Sequence, residues 1–186
     1  MTGQLDQSLR AAVDFLEAKG YRYAVIGGIA LTYWGVVRTT LDVDIKVLVP
    51  GTDYVSARSE LRGAFPDPAR QEGPQNPLIV SVLIQDVVVD FLLALPGYEE
   101  LIIERAELGS LGSWSAWVCS AEDLVVQKVV AGRGKDWSDV ESLLATRGDV
   151  LDMAYIEDWL GQFAEALQKP ELLAEYNSIL YKVRGS

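Results

Sequence analysis

Residues 21–49 read YRYAVIGGIALTYWGVVRTTLDVDIKVLV, and the fold turns on how this stretch is parsed. Tyr23-Ala24-Val25-Ile26 is an apolar run of strand length. Gly27-Gly28 follows at once, a pair suited to a tight turn that backbone or phosphate approaches closely. Residues 29–34 read as a short helix that Gly35 ends. Alone, this is an ordinary strand–turn–helix corner. The next segment adds weight to it. From Leu41 to Val49 the side chains alternate between two faces. Val43, Ile45, Val47 and Val49 take the core side, and Asp42, Asp44 and Lys46 the other. Aspartate is disfavoured in strands, and like charges side by side on one face repel. Carboxylates at i and i+2 lie roughly 6–7 Å apart at the backbone, so their side chains can converge on one hard cation. Mg²⁺ takes a few carboxylates plus substrate phosphates. The plainer alternative is the solvated face of an edge strand.

A third carboxylate lies downstream. Residues 77–84 (PLIVSVLI) and 87–95 (VVVDFLLAL) are strand-like and are separated by Gln85-Asp86, so a tight hairpin is expected although Gln-Asp is not a favoured two-residue turn. Asp90 is the one charge in the second run. A lone carboxylate there is costly unless paired or metal-bound; the alternative is an aspartate held by backbone donors.

Gly27-Gly28, then Asp42-Val43-Asp44, then Asp90 on a later strand resembles the core of the DNA-polymerase-beta-like nucleotidyltransferase superfamily. Arg38-Thr39-Thr40 before Asp42, and residues 124–140 (LVVQKVVAGRGKDWSDV), resemble its AbiE-type toxin and minimal nucleotidyltransferase branch. The resemblance implies an α+β fold: a mixed, largely antiparallel twisted sheet of about five strands flanked by helices, palm-like. It implies two Mg²⁺ ions, with Mn²⁺ as a substitute, held by Asp42, Asp44 and Asp90. Asp90 would also help deprotonate an attacking hydroxyl. Gly27 and Gly28 would let backbone amides reach the phosphates of an NTP such as ATP, with Arg38, Thr39 and Lys128 as further nucleotide contacts. Two metals suit an in-line displacement at phosphorus, and their charge keeps the aspartates ionised. One departure stands out: many members carry serine where this chain has Gly28. The branch suggests an RNA or tRNA end, or a protein, as acceptor and an antitoxin as partner; other relatives suggest a small molecule.

Totals narrow the chemistry. The chain has 186 residues, 49% of them hydrophobic, one cysteine and no histidine. An intramolecular disulfide and a cysteine zinc cluster are excluded, as are Ser-His-Asp and Cys-His nucleophiles in their usual form and histidine metal sites. A net charge of −11 opposes broad nucleic-acid binding, which draws on phosphate neutralisation. No apolar run has transmembrane length and no basic-then-apolar leader is visible, so a cytoplasmic location is expected.

The other segments read as support. Residues 4–19 form an amphipathic helix with Leu5, Leu9, Ala12, Val13 and Leu16 on one face. Thr52 is placed to cap a helix through residue 61 or 62. Residues 63–76, rich in Pro and Gly, form a loop, either a substrate-side flap or a plain tip. Residues 98–105 read as a short helix and 114–119 as a strand, with Trp114 and Trp117 expected in the core. Ser120 caps a helix to about residue 130, with Lys128 late on it. Arg133 and Lys135 lie on a basic turn, and Asp136 starts a helix in which Asp136 and Asp139 share a face as ion-pair partners for Arg133 or Lys128. Asp152 and Pro170 open two last helices, read as a hairpin. The expected division is a nucleotidyltransferase-like core over 1–150 and a helical extension over 151–186. Two other functions fit: a nucleotide-binding or regulatory protein that kept the fold and lost turnover, and a protein–protein module in the C-terminal helices.

Overall fold

A computed structural model describes residues 3–69 and 76–185. By its contacts the chain divides into two compact units, Met1–Ile29 with Thr39–Cys119, and Ala30–Arg38 with Ser120–Ser186.

The first unit holds α1 (Gly3–Ala18), β1 (Arg22–Ile26), the start of α2 (Gly27–Tyr33), β2 (Asp42–Leu48), α3 (Tyr54–Ala64), β3 (Ile79–Ile84), β4 (Val87–Leu93), α4 (Tyr98–Glu104), β5 (Glu107–Ser110) and β6 (Ser115–Val118). The strands form one mixed six-stranded sheet in the order β3-β4-β2-β1-β6-β5. The β1–β2, β3–β4 and β5–β6 pairs are antiparallel, and β2–β4 and β1–β6 parallel. This is the expected α+β sheet with one strand more. That strand, β5, reads ELGS; it is short and glycine-broken, with no strand signature of its own, and it exists because β6 pairs with it.

The two faces of β2 divide as the alternation requires. Val43, Ile45 and Val47 are fully buried. Ile45 pairs with Phe91 of β4, and Phe91 stacks on Phe65, whose ring meets Phe15 of α1 edge-on. The face carrying Ile45 is therefore the one α1 covers. The other face carries Asp42, Asp44 and Lys46. β2 lies between β4 and β1, so these residues are not the outward face of an edge strand.

Several local readings need correction. The cap of α3 is Asp53, whose carboxylate accepts from Ser56 N at 3.1 Å; Thr52, at φ +57, belongs to the preceding turn. Gln85 and Asp86 do make a two-residue turn, both at positive φ (50° and 63°). Trp117 is 43% exposed, because β6 ends one side of the sheet with only β5 beyond it. Trp114 is half-buried and donates from Nε1 to Asp6 at 3.0 Å. The loop expected over 63–76 starts later, since α3 runs to Ala64 and Pro68 bridges to Val82; residues 70–75 of it lie outside the described residues.

The second unit holds the end of α2 and α5 (Ala121–Ala131), α6 (Gly134–Arg147), α7 (Met153–Ala166) and α8 (Glu171–Arg184). α5 packs on α6 and α7, and α8 packs on α5, α6 and α7, around fully buried Val125, Leu143, Ile156, Leu160 and Tyr176. The last two helices do pack on each other, as expected of a hairpin. The start of α5 is written locally. Ser120 Oγ accepts from Asp123 N at 3.1 Å and lies 2.7 Å from Asp123 Oδ2, to which it donates. Ser120→Ala removes a buried cap, so urea unfolding is expected to show a loss of about 1–2 kcal/mol at unchanged m.

Candidate functional site

In the first unit, register sets the expected carboxylates on one face of the sheet. Ser81 of β3 pairs with Asp90 of β4, Asp90 with Asp44 of β2, and Asp44 with Ile26 at the end of β1. Residues paired across strands share a face, and neighbouring strands lie about 4.7–4.9 Å apart. Asp42 is one step along the same face. Three carboxylates from two parallel strands thus occupy one patch, with Asp44 and Asp90 half-buried and Asp42 exposed.

The surroundings hold them in place. Ser81 donates its hydroxyl to Asp90 Oδ1, and Thr40 Oγ1 lies 3.0 Å from Asp42 Oδ1. Gly27 turns the chain out of β1 at φ +64, and a Cβ built on it would lie 2.0 Å from Asp44 Oδ2. Glycine is required there twice over, by conformation and by the nearness of the carboxylate. Gly28 is buried and packs on Thr40. Thr39 is exposed. Lys46, farther along the same face of β2, is 4% exposed; its Nζ lies 2.5 Å from Glu99 Oε1, while Glu99 Oε2 accepts from Leu95 N at 2.8 Å. The pair neutralises a buried cation and leaves the acidic patch without a basic residue next along the strand.

The donor chemistry suits a hard divalent cation, since every group offered is a carboxylate or hydroxyl oxygen. As they stand, no three acidic, histidine or cysteine side chains among the described residues are gathered closely enough to hold one. Asp42 and Asp90 each have an oxygen turned to a neighbouring hydroxyl, Thr40 and Ser81. Sequence reasoning missed these two hydroxyls. Thr40 was legible as the residue two before Asp42; Ser81 enters only through hairpin register.

The second unit holds the basic candidates Arg38, Lys128 and Arg133. Lys128 Nζ lies 3.1 Å from Asp136 Oδ1 and 2.8 Å from Asp139 Oδ2. Arg133 Nε donates to Asp136 Oδ2 at 2.6 Å, and Arg38 donates to Asp139 Oδ2. Asp136 is fully buried, and Asp139 and Lys128 nearly so. Burial pushes the Asp136 carboxyl up, but hydrogen bonds from Arg133 and Lys128, with their charges, outweigh it and hold it below the usual carboxylate value. Asp136 and Asp139 are ion-pair partners, as the i, i+3 spacing suggested. Lys128 spends its charge on both.

Solved structures share this fold. An antigenic nucleotidyltransferase-like protein from Paracoccidioides brasiliensis aligns at TM-score 0.57 and 15% identity, over 95% of this chain and 93% of its own. The antibiotic-resistance factor ANT(2'')-Ia aligns at TM-score 0.64 and 16% identity, over 92% and 97%. JHP933 from Helicobacter pylori aligns at 0.50 and 13%, over 97% and 92%. At such identities the likeness is one of fold. Among curated proteins none matches the sequence. The sequence does match one family along nearly its whole length: residues 4–182 place this chain in DUF6036, a family of nucleotidyltransferases of unknown function.

Proposed function

We propose that the protein is a divalent-metal-dependent nucleotidyltransferase that moves a nucleoside monophosphate from an NTP to a hydroxyl of an acceptor. The observation that carries this reading is the patch of Asp42, Asp44 and Asp90 on adjacent parallel strands, beside a glycine turn that closes on Asp44. Asp42, Asp44 and Asp90 would hold Mg²⁺ or Mn²⁺; the ions, when bound, supply positive charge at the phosphoryl oxygens. Asp90 takes the proton of the acceptor hydroxyl, whose oxygen bonds to the α-phosphorus as the bond to the leaving pyrophosphate breaks. Backbone amides at Gly27 and Gly28 receive the phosphates, with Thr39 at the rim. Arg38 is proposed as a nucleotide contact on the family resemblance; within its own unit it donates to Asp139. Lys128 is proposed as a nucleotide contact on the same resemblance; within its own unit it pairs with Asp136 and Asp139.

The acceptor is read from charge. A chain of net charge −11 favours a small molecule or a protein over a nucleic acid. ANT(2'')-Ia has been crystallised with adenylyl-2''-tobramycin, which is in keeping with a small acceptor. The alternative is the toxin role of the AbiE-type branch, with an RNA or tRNA end or a protein modified and an antitoxin as partner; growth arrest on expression of the chain alone would favour it. The test of transfer is incubation with labelled NTPs, Mg²⁺ or Mn²⁺, and separated cell RNA, protein and small molecules. A labelled product is expected from the parent and none from Asp42→Ala or Asp44→Ala. No product from the parent in any fraction defeats the reading.

A second reading, a nucleotide-binding protein without turnover, is favoured by one observation: among the described residues, the acidic side chains do not stand gathered as a cage. Calorimetry separates the two. NTP and metal binding with no pyrophosphate release supports the second, and steady release defeats it. No helix among the described residues is long and apolar enough to cross a membrane, and we place the reaction in the cytoplasm.

A further inference from the structure

The two glycines of the turn are glycine for different reasons. Gly27 has a positive φ and gives way to Asp44. Gly28 is not among the residues at positive φ, so its backbone would accept an L side chain. Space forbids one. A Cβ built on Gly28 would lie 2.5 Å from Thr40 Oγ1 and 2.7 Å from Thr40 Cβ, nearer than real Cβ atoms approach. Thr40 Cβ is fixed to its backbone and cannot swing aside like the end of a long side chain. Each glycine therefore makes room for one side chain, that of Asp44 in β2 in the first case and that of Thr40, just before β2, in the second.

Thr40 also touches the acidic patch. Its Oγ1 lies 3.0 Å from Asp42 Oδ1 and 3.2 Å from Asp42 O. β-Branching limits its χ1, and the packing on Gly28 limits it further, so the hydroxyl is set in place before any ligand arrives. Asp42 is exposed, and among the described residues Thr40 is the one side-chain hydrogen-bond partner of its carboxylate.

We propose that Thr40 is the positioning residue of this site: it fills the space left by Gly28 and engages one oxygen of the Asp42 carboxylate, Oδ1, so that the other oxygen is the one offered to a divalent cation. The inference rests on the transfer reading above. Partners that orient a metal's carboxylate ligands are worth about 10–100-fold in metal affinity. A threonine that only filled space would be worth nothing there.

The test is Mn²⁺ affinity by electron paramagnetic resonance, with and without a non-hydrolysable NTP analogue, beside thermal unfolding of the metal-free protein. Thr40→Val keeps the shape and loses the hydroxyl; it is expected to weaken Mn²⁺ about tenfold or more at a near-parental Tm. Thr40→Ser keeps the hydroxyl and is expected within about twofold of the parent. Gly28→Ala lowers the Tm, and Gly28→Ala with Thr40→Gly recovers part of that loss, because contacting residues couple. Unchanged Mn²⁺ affinity in Thr40→Val, or strictly additive Tm changes in the pair, overturns the inference while leaving the transfer reading standing. If the parent binds no Mn²⁺ even with the analogue, the transfer reading fails and this inference falls with it.

Discussion

Asp44→Ala is expected to lower the rate of nucleotidyl transfer by about a thousandfold or more while the fold survives. Asp44 is the centre of the patch: its strand places Asp42 two residues away, its neighbouring strand places Asp90 at the same register, and Gly27 closes over its Oδ2. Metal charge at a phosphoryl centre contributes several kcal/mol to the transition state, and each 1.4 kcal/mol is tenfold in rate. A loss of about 4 kcal/mol gives the thousandfold figure. Asp44 is half-buried beside another carboxylate, and like charges adjacent on one face destabilise. Asp44→Asn is therefore expected to unfold at the parental temperature or slightly above it, in line with the stability that functional sites commonly give up. Rate and Tm measured together check both halves. A large fall in Tm alongside the lost rate would make Asp44 a structural residue instead.

Asp136→Asn is expected to act in the opposite way, through stability. Its carboxylate is fully buried and takes charge-assisted hydrogen bonds from Lys128 and Arg133. Removing one partner of a buried pair leaves the other charge uncompensated, at about 3–5 kcal/mol, here tempered by the contacts Lys128 keeps to Asp139 and Arg133 to solvent. The effect depends on pH in a definite sense. The folded protein holds the Asp136 carboxyl below its ordinary value, so the folded state binds fewer protons than the unfolded one in the window between the two. The stabilisation is full above the unfolded pKa of about 3.9 and is lost as pH falls through the folded value. Denaturation curves of parent and variant, well separated at neutral pH, are expected to draw together in acid. Parallel curves down to low pH would show that the charge at 136 does not carry the difference.

Local features were legible in the order of residues because their physics is local. The alternation of residues 42–49 set which side chains face the core, and Val43, Ile45 and Val47 are buried as the period of two demands. Ser120 and Asp152 cap their helices because a side-chain oxygen needs only the amide two or three residues on. The absence of histidine and the single cysteine limited the chemistry to carboxylates before any fold was considered. The family resemblance, read from Gly27-Gly28, Asp42-Val43-Asp44 and Asp90, agreed with the family match over residues 4–182.

What the tertiary structure decided was adjacency. Asp44 stands beside Asp90 because β2 and β4 pair in parallel across a long connection, and nothing near either residue specifies that register. Lys46 is buried because β2 ended up central, with Glu99 of α4 close by. Trp117 is exposed because β6 lies near the end of the sheet. Lys128 is committed to Asp136 and Asp139 because α6 packs against α5. Gly28 is glycine because Thr40 returns to within van der Waals reach of it. Residue order determines which groups each strand and helix presents; which of those groups meet is set by long-range pairing, whose partners are distant along the chain and carry no local mark of one another.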